Sequence, residues 1–303
     1  MAFTSVFKAL LPIVAIFTAT KASSAEVVLS SSEKTSKAIL LDSLAAKGEW
    51  SSVHAAEYLI RLNDTAAVLS AFQPQKECET PRYRIGVWRV LAQAEATPEL
   101  RSQYVARIRS VLLDHDAHDR LHALETLGKL QAPITSDAER KAVEEFAQAP
   151  DHPGRAFAIW RLLQQQSSPP HIQSLLAELE ASDDARRLRA AFVLGHLNDL
   201  SPTIKAQIKQ AYAAESDDST AYPYLAFAVG DEAVAQLLKS DDSNQRALAW
   251  KELPTSELVA IADPADDLAE QSPLGLRQAA AYALLAKRRV AKTSSPEHKK
   301  ADQ

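Results

Sequence analysis

The densest group of metal-type and acid–base side chains is Asp114-His115-Asp116-Ala117-His118-Asp119-Arg120-Leu121-His122. On one helix, Asp114, His118 and His122 would share a face at four-residue spacing, which suits Zn²⁺. Asp114 to Asp116 read instead as a loop between helices, so a polar, capped loop without metal is the expected arrangement. The acidic pairs Glu144-Glu145 and Asp183-Asp184 are expected to be solvated faces or caps. His-Glu-x-x-His, Gly-x-Ser-x-Gly and Cys-x-x-Cys are all missing. The 7 glycines are dispersed, which argues against a phosphate-cradling loop. No catalysis and no cofactor are expected from these residues.

A basic residue recurs more regularly than any of these. It opens a phrase of small, then large apolar residues. The copies begin at His54, Arg84 (RIGVWRVLA), His122 (HALETLGKL), Arg155 (RAFAIWRLL) and Arg189 (RAAFVLGHL). Weaker copies begin at Pro223, Arg246 and Arg277. Successive steps are 30, 38, 33, 34, 34, 23 and 31 residues. Apolar spacing of three and four predicts a helix for each copy. Second helices are expected between copies at 100–113, 137–148, 171–181 and 203–215. Ser136, Pro169-Pro170 and Ser201-Pro202 mark the starts of the last three. A helical hairpin of about 33 residues cannot bury its apolar face alone, so neighbours must stack.

The phrase resembles HEAT repeats of the short bacterial kind. Arg189-Ala190-Ala191-Phe192-Val193-Leu194-Gly195-His196-Leu197 and His122-Ala123-Leu124-Glu125-Thr126-Leu127-Gly128-Lys129-Leu130 carry the resemblance most clearly. It extends over residues 50–289 and implies an all-α fold, a right-handed, armadillo-like α-solenoid of about eight HEAT-like helical hairpins. The copies at Pro223 and Arg246 depart most from the pattern, so the stacking of residues 215–245 is the least specified. Such solenoids host many roles, and the resemblance does not choose among them.

On a helical wheel the basic anchor lies at the edge of the apolar arc, beside the residue four positions on. His54 thus neighbours Tyr58, Arg84 neighbours Trp88, and Arg246 neighbours Trp250. In one reading, the anchor stems pack along the seam and their heads pair with Asp119, Asp151, Asp184 and Asp242 or sit over aromatic rings. In the other, Tyr83, Arg84, Trp88, His122, Arg155, Arg189, Arg246 and Trp250 form a ligand-binding row. Arg155 and Arg189 are expected to be structural, and Arg84 is expected to be the anchor that touches a ligand.

The remaining segments set address and ends. Lys8, the apolar run from Ala9 to Thr20 and the small residues Ala22, Ser23, Ser24 and Ala25 read as a signal peptide over 1–25. The run is too short to span a bilayer, which needs roughly 20 residues. A capping helix is expected over 36–47 within segment 26–49, then repeats over 50–290 and a disordered polar tail over 291–303. The net charge of −5 and the lack of a basic patch argue against nucleic acid. The single Cys78 excludes a disulfide scaffold. A periplasmic or secreted, monomeric scaffold or binding module is expected. Its concave face would hold another exported protein or a carbohydrate. The rival is an α/α-barrel polysaccharide lyase or glycosidase, or an accessory subunit of an exported sugar-processing enzyme. A closed ring with meeting termini would favour that barrel architecture.

Overall fold

The computed structural model describes residues 29–197, 200–253 and 264–293. They form α1 (Ser31–Leu44), α2 (Trp50–Arg61), α3 (Thr65–Phe72), α4 (Tyr83–Ala94), α5 (Pro98–Leu113), α6 (Arg120–Lys129), α7 (Asp137–Gln148), α8 (Arg155–Gln165), α9 (Pro169–Glu178), α10 (Asp184–Gly195), α11 (Pro202–Ala214), α12 (Tyr222–Val229), α13 (Asp231–Leu237), α14 (Ser243–Glu252) and α15 (Leu274–Thr293). No strand occurs among the described residues, and none of their helices is long and apolar enough to cross a membrane. The expected signal peptide lies outside the described residues. So does the tail from 294 onward, while α15 carries its first three residues as helix.

Each copy of the recurring phrase falls on a helix: α2, α4, α6, α8, α10, α12, α14 and α15. The expected second helices are α5, α7, α9 and α11, and their starts follow local chemistry. Ser136 accepts a hydrogen bond from the Glu139 amide, Ser201 does the same for Ile204, and proline opens α5, α9 and α11. The unusually short step after Pro223 also has a cause. Gly230, at φ +122°, is the only residue between α12 and α13, and both helices are short. The N-terminal helix starts earlier than the 36–47 span. Ser30 and Glu33 form a capping box, and Gly48 at φ +83° follows the helix.

The Leu-Gly-x-Leu part of the phrase marks close approaches between neighbouring helices. A Cβ on Gly128 would lie 2.6 Å from the Trp160 ring of α8, and one on Gly195 would lie 2.9 Å from the Tyr224 carbonyl of α12.

The phrase-bearing helices pack in sequence: α2 on α4, α4 on α6, α6 on α8, and so on to α14 on α15. The series then returns on itself, because α15 packs against α2. The last helix also rests on α1, which serves it as an outer partner. Tyr282 of α15 is fully buried and stacks on Tyr58 of α2, with ring centroids 5.1 Å apart. Gln278 Nε2 donates to the Ser51 carbonyl at 3.1 Å. Arg61, at the end of α2, donates to the Lys251 carbonyl and, at 2.9 Å, to the Leu253 carbonyl. The open concave groove expected from the sequence is therefore replaced by a ring whose ends meet. Stacking alone leaves an apolar face bare at each end of an array, and here the two end faces cover one another.

Candidate functional site

The phrase-bearing helices carry their anchors near their N-terminal ends, while their C-terminal ends converge on a cavity of about 820 Å³. Its wall takes Glu57, Tyr58 and Arg61 from α2, Gln93 from α4, Lys129 from α6, Trp160 and Leu163 to Gln165 from α8, Phe192 from α10, and Lys251 and Glu252 from α14. His196 and Gln131, just beyond α10 and α6, complete it with Pro133 and Leu197. Cations in the last turns of α2, α6 and α14 suit the partial negative charge of helix C-termini.

The charged groups of the cavity are paired, several of them between helices. Glu57 Oε1 lies 2.8 Å from Arg89 Nε, an ion-pair contact without hydrogen-bond alignment, and Glu57 Oε2 lies 3.4 Å from His54. Lys129 Nζ lies 2.6 Å from Glu125. Glu252 lies 3.5 Å from His196 Nε2 and 3.7 Å from Lys251 Nζ. His196 Nδ1 lies 2.8 Å from the Phe192 carbonyl, which only a protonated Nδ1 satisfies, so Nε2 faces the cavity.

Burial would raise the Glu57 carboxyl, but Arg89, His54, Lys251 and Lys129 outweigh it and hold the group well below the ordinary carboxylate range. Burial likewise opposes ionisation of Glu252, and His196, Lys251 and Lys129 bring it to about 2. Burial lowers Lys129, against the pull of Glu125. Burial raises the phenols of Tyr58 and Tyr224, and nearby carboxylates add to the effect. The cavity's two carboxylates are therefore held ionised, its Tyr58 phenol is held neutral, and Lys129 is the cation whose charged form burial disfavours.

The residues of the expected ligand-binding row lie elsewhere, and none of them lines this cavity. Tyr83 is buried; its hydroxyl donates to Gln75 and accepts from the Gly48 amide. Arg84 makes two 2.8 Å hydrogen bonds to Asp119, whose side chain is fully buried. Trp88 Nε1 donates to the Lys76 carbonyl, with Arg84 and Arg107 beside its ring. The His122 ring sits 6.3 Å from Trp50, and its buried Nδ1 has no hydrogen-bond partner. Arg155 pairs with Glu178 and donates to the Ala147 carbonyl. Arg246 and Trp250 both bond Asp267.

Arg84 and Arg155 both rest against buried carboxylates, and Arg189 stands apart from them. Arg84, expected to meet a ligand, is bonded to a buried carboxylate. Half-buried Arg189, expected to be structural, makes none of the described hydrogen bonds or ion pairs. Of the four expected aspartate partners, Asp119 takes a neighbouring anchor. Asp151 pairs with Arg186 and Asp184 with Arg187, while Asp242 caps α14. Residues 114–119 of the histidine-rich segment form the turn between α5 and α6, and Arg120 to His122 open α6. Among the described residues no group of three or more His, Cys, Asp or Glu side chains converges on a point.

The sequence held one unread signal for the cavity. Seven positions after the anchor, three copies carry a basic residue, Arg61, Lys129 and His196, where Leu91, Leu162, Leu253 and Leu284 occupy four of the others and Gly230 the last. Compared with protein-family models, with curated proteins and with solved structures, the chain matches none of them.

Proposed function

We propose that this protein is a non-catalytic binding module built from HEAT-like helical hairpins, whose working surface is the cavity at the centre of the ring. One observation carries the reading: the charges of the cavity are fixed by partners on their own or neighbouring helices, which presents a preformed polar surface at no reorganisation cost. The apolar segment from Ala9 to Thr20 and the small residues after it support work outside the cytoplasm.

The closed ring favours the architecture of an α/α-barrel lyase or glycosidase, but the titratable groups of the cavity do not favour that chemistry. A glycosidase needs one carboxyl raised to act as acid beside an ionised one. Glu57 and Glu252 are both held low. A lyase base drawn from tyrosine needs an easily ionised phenol, and Tyr58 is shifted the other way.

The test is a thermal-shift screen of sugars, short peptides and small metabolites. A true ligand raises the melting temperature with concentration. The shift should disappear in His196→Ala and persist in Arg189→Ala. Hits that ignore His196→Ala would place the working surface elsewhere, and product formation from a hit would overturn the non-catalytic reading.

A further inference from the structure

The charges on the cavity wall do not balance. Arg61, Lys129 and Lys251 line it, with His196, against the two carboxylates of Glu57 and Glu252. Arg89 and Glu125 do not line it. They pair with Glu57 and Lys129 and, being one of each sign, leave the surplus unchanged. That surplus is one positive charge before His196 is counted.

It sits where the ring closes. Glu57 is answered by Arg89 and His54, Glu252 by His196 and Lys251, and Lys129 by Glu125. Arg61 makes none of the described ion pairs. Its Nη1 donates to the Lys251 carbonyl and its Nη2 to the Leu253 carbonyl, and its guanidinium lies 4.6 Å from the centre of the Tyr282 ring. Three of its five N–H groups make none of the described hydrogen bonds, and the residue is exposed. Lys251 Nζ lies 3.7 Å from Glu252, beyond hydrogen-bond range, so its N–H groups are also unspent among the described bonds. The helix dipole accounts for cations in these last turns. It does not account for a guanidinium that crosses from α2 to the end of α14 with most of its donors unspent.

Arg61 and Lys251 lie 190 positions apart, and only closure of the ring brings them together. Closure thus sets two like charges on one stretch of wall, which is unfavourable by itself. A negative group between them would relieve the repulsion and accept from both, in charge-assisted hydrogen bonds. The cavity opens to solvent, so a small molecule can reach the pair. A surplus of one matches a carboxylate, which carries one charge, better than a phosphate monoester, which carries about 1.5 to 2.

On the reading that this cavity is the binding surface, we propose that it takes a small organic carboxylate, seated between Arg61 and Lys251 at the seam of the ring. Both cations donate to the carboxylate oxygens. The ligand clasps the two ends of the chain, so binding and ring closure strengthen one another.

The experiment is calorimetric titration of the full chain with carboxylates and their uncharged counterparts: glucuronate with glucose, benzoate with benzamide, and lactate with lactamide. Inorganic phosphate is a separate arm. At least one carboxylate should bind at millimolar concentration or below. It should bind at least about tenfold more tightly than its uncharged counterpart, more tightly than phosphate, and more weakly as salt is added. Lys251→Gln removes none of the described hydrogen bonds, so it should leave the melting temperature of the free chain unchanged and weaken the carboxylate about tenfold. Tyr282→Ala, which loosens the seam, should weaken it too. In the unaltered chain, added carboxylate should slow hydrogen exchange at α2, α14 and α15 more than at α8.

Failure of every carboxylate at millimolar concentration overturns the proposal, as does phosphate binding tighter than all of them. Slowed exchange at α8 alone, or full affinity in Tyr282→Ala, would remove the ligand from the seam. Equal binding of charged and uncharged partners, abolished by His196→Ala, would sink the carboxylate and leave the cavity as the binding surface. A carboxylate that keeps full affinity in both Lys251→Gln and His196→Ala would sink the two readings together, since its site then lies elsewhere.

Discussion

Arg84→Ala tests whether the basic anchors hold the ring together or face a ligand. Arg84 Nε and Nη2 each lie 2.8 Å from Asp119, which also accepts the Arg82 amide at 3.1 Å. The Asp119 side chain is fully buried and that of Arg84 is 23% exposed. Removing one partner of a buried ion pair costs about 3–5 kcal/mol. Because the arginine end reaches water, the low end applies, about 3 kcal/mol. For a chain of this size that lowers the melting temperature by about 8 °C.

The pH dependence supplies an independent sign. Burial would raise Asp119, but Arg84 and the Arg82 amide outweigh it and depress the group. Its stabilising contribution is then fully present above the unfolded aspartate value, about 3.9, and is lost as pH falls through the folded value. Without Arg84, burial dominates and Asp119 opposes folding at neutral pH. The gap between wild type and variant should therefore be widest near pH 7 and narrow toward pH 4. Melting curves followed by circular dichroism from pH 4 to 8 measure both. A neutral-pH shift under about 2 °C, or a gap constant with pH, would refute the structural assignment of Arg84.

Two further outcomes follow from the packing. Gly128→Ala gains about 1 kcal/mol of helix propensity but sets a methyl 2.6 Å from the Trp160 ring, which Phe192 and His196 hold in place. Overpacking of about 1–3 kcal/mol should win, and a variant more stable than wild type in urea would show that Trp160 yields freely. Tyr282→Ala removes the fully buried ring stacked on Tyr58 and lying under Arg61, at a cost of about 4 kcal/mol. It should also open the ring, seen as faster proteolysis at α1 and a larger scattering radius; unchanged dimensions and cleavage would argue against closure through this contact.

The helices were legible in the sequence because their causes are local. Apolar spacing, a serine or proline at the start of each second helix, and a repeated phrase sit within one hairpin. Closure left no such trace. Tyr58 and Tyr282, or Ser51 and Gln278, meet from opposite ends of the chain, and each looks locally like any other residue of its helix. The cavity was hidden differently. Arg61, Lys129 and Lys251 occupy last turns, where a cation is expected for the helix dipole alone. Attention fell on the anchors because they recur, and recurrence marks what every hairpin needs, which is packing. The cavity residues differ from one hairpin to the next.

The seating of α1 against α15 has a consequence for how such a chain can vary. An open stack of hairpins tolerates one unit more or less, since each unit answers only to its neighbours. In a ring, every unit contributes to a total turn that must bring α15 back to α2. Deleting or duplicating a hairpin would leave α1 and α15 unable to meet, and both would expose apolar faces. The number of hairpins is thereby locked, and variation is confined to side chains and loop lengths. The step of 38 residues into α6 and the step of 23 into α14 show how far the spacing departs from the usual 30–34 within one ring.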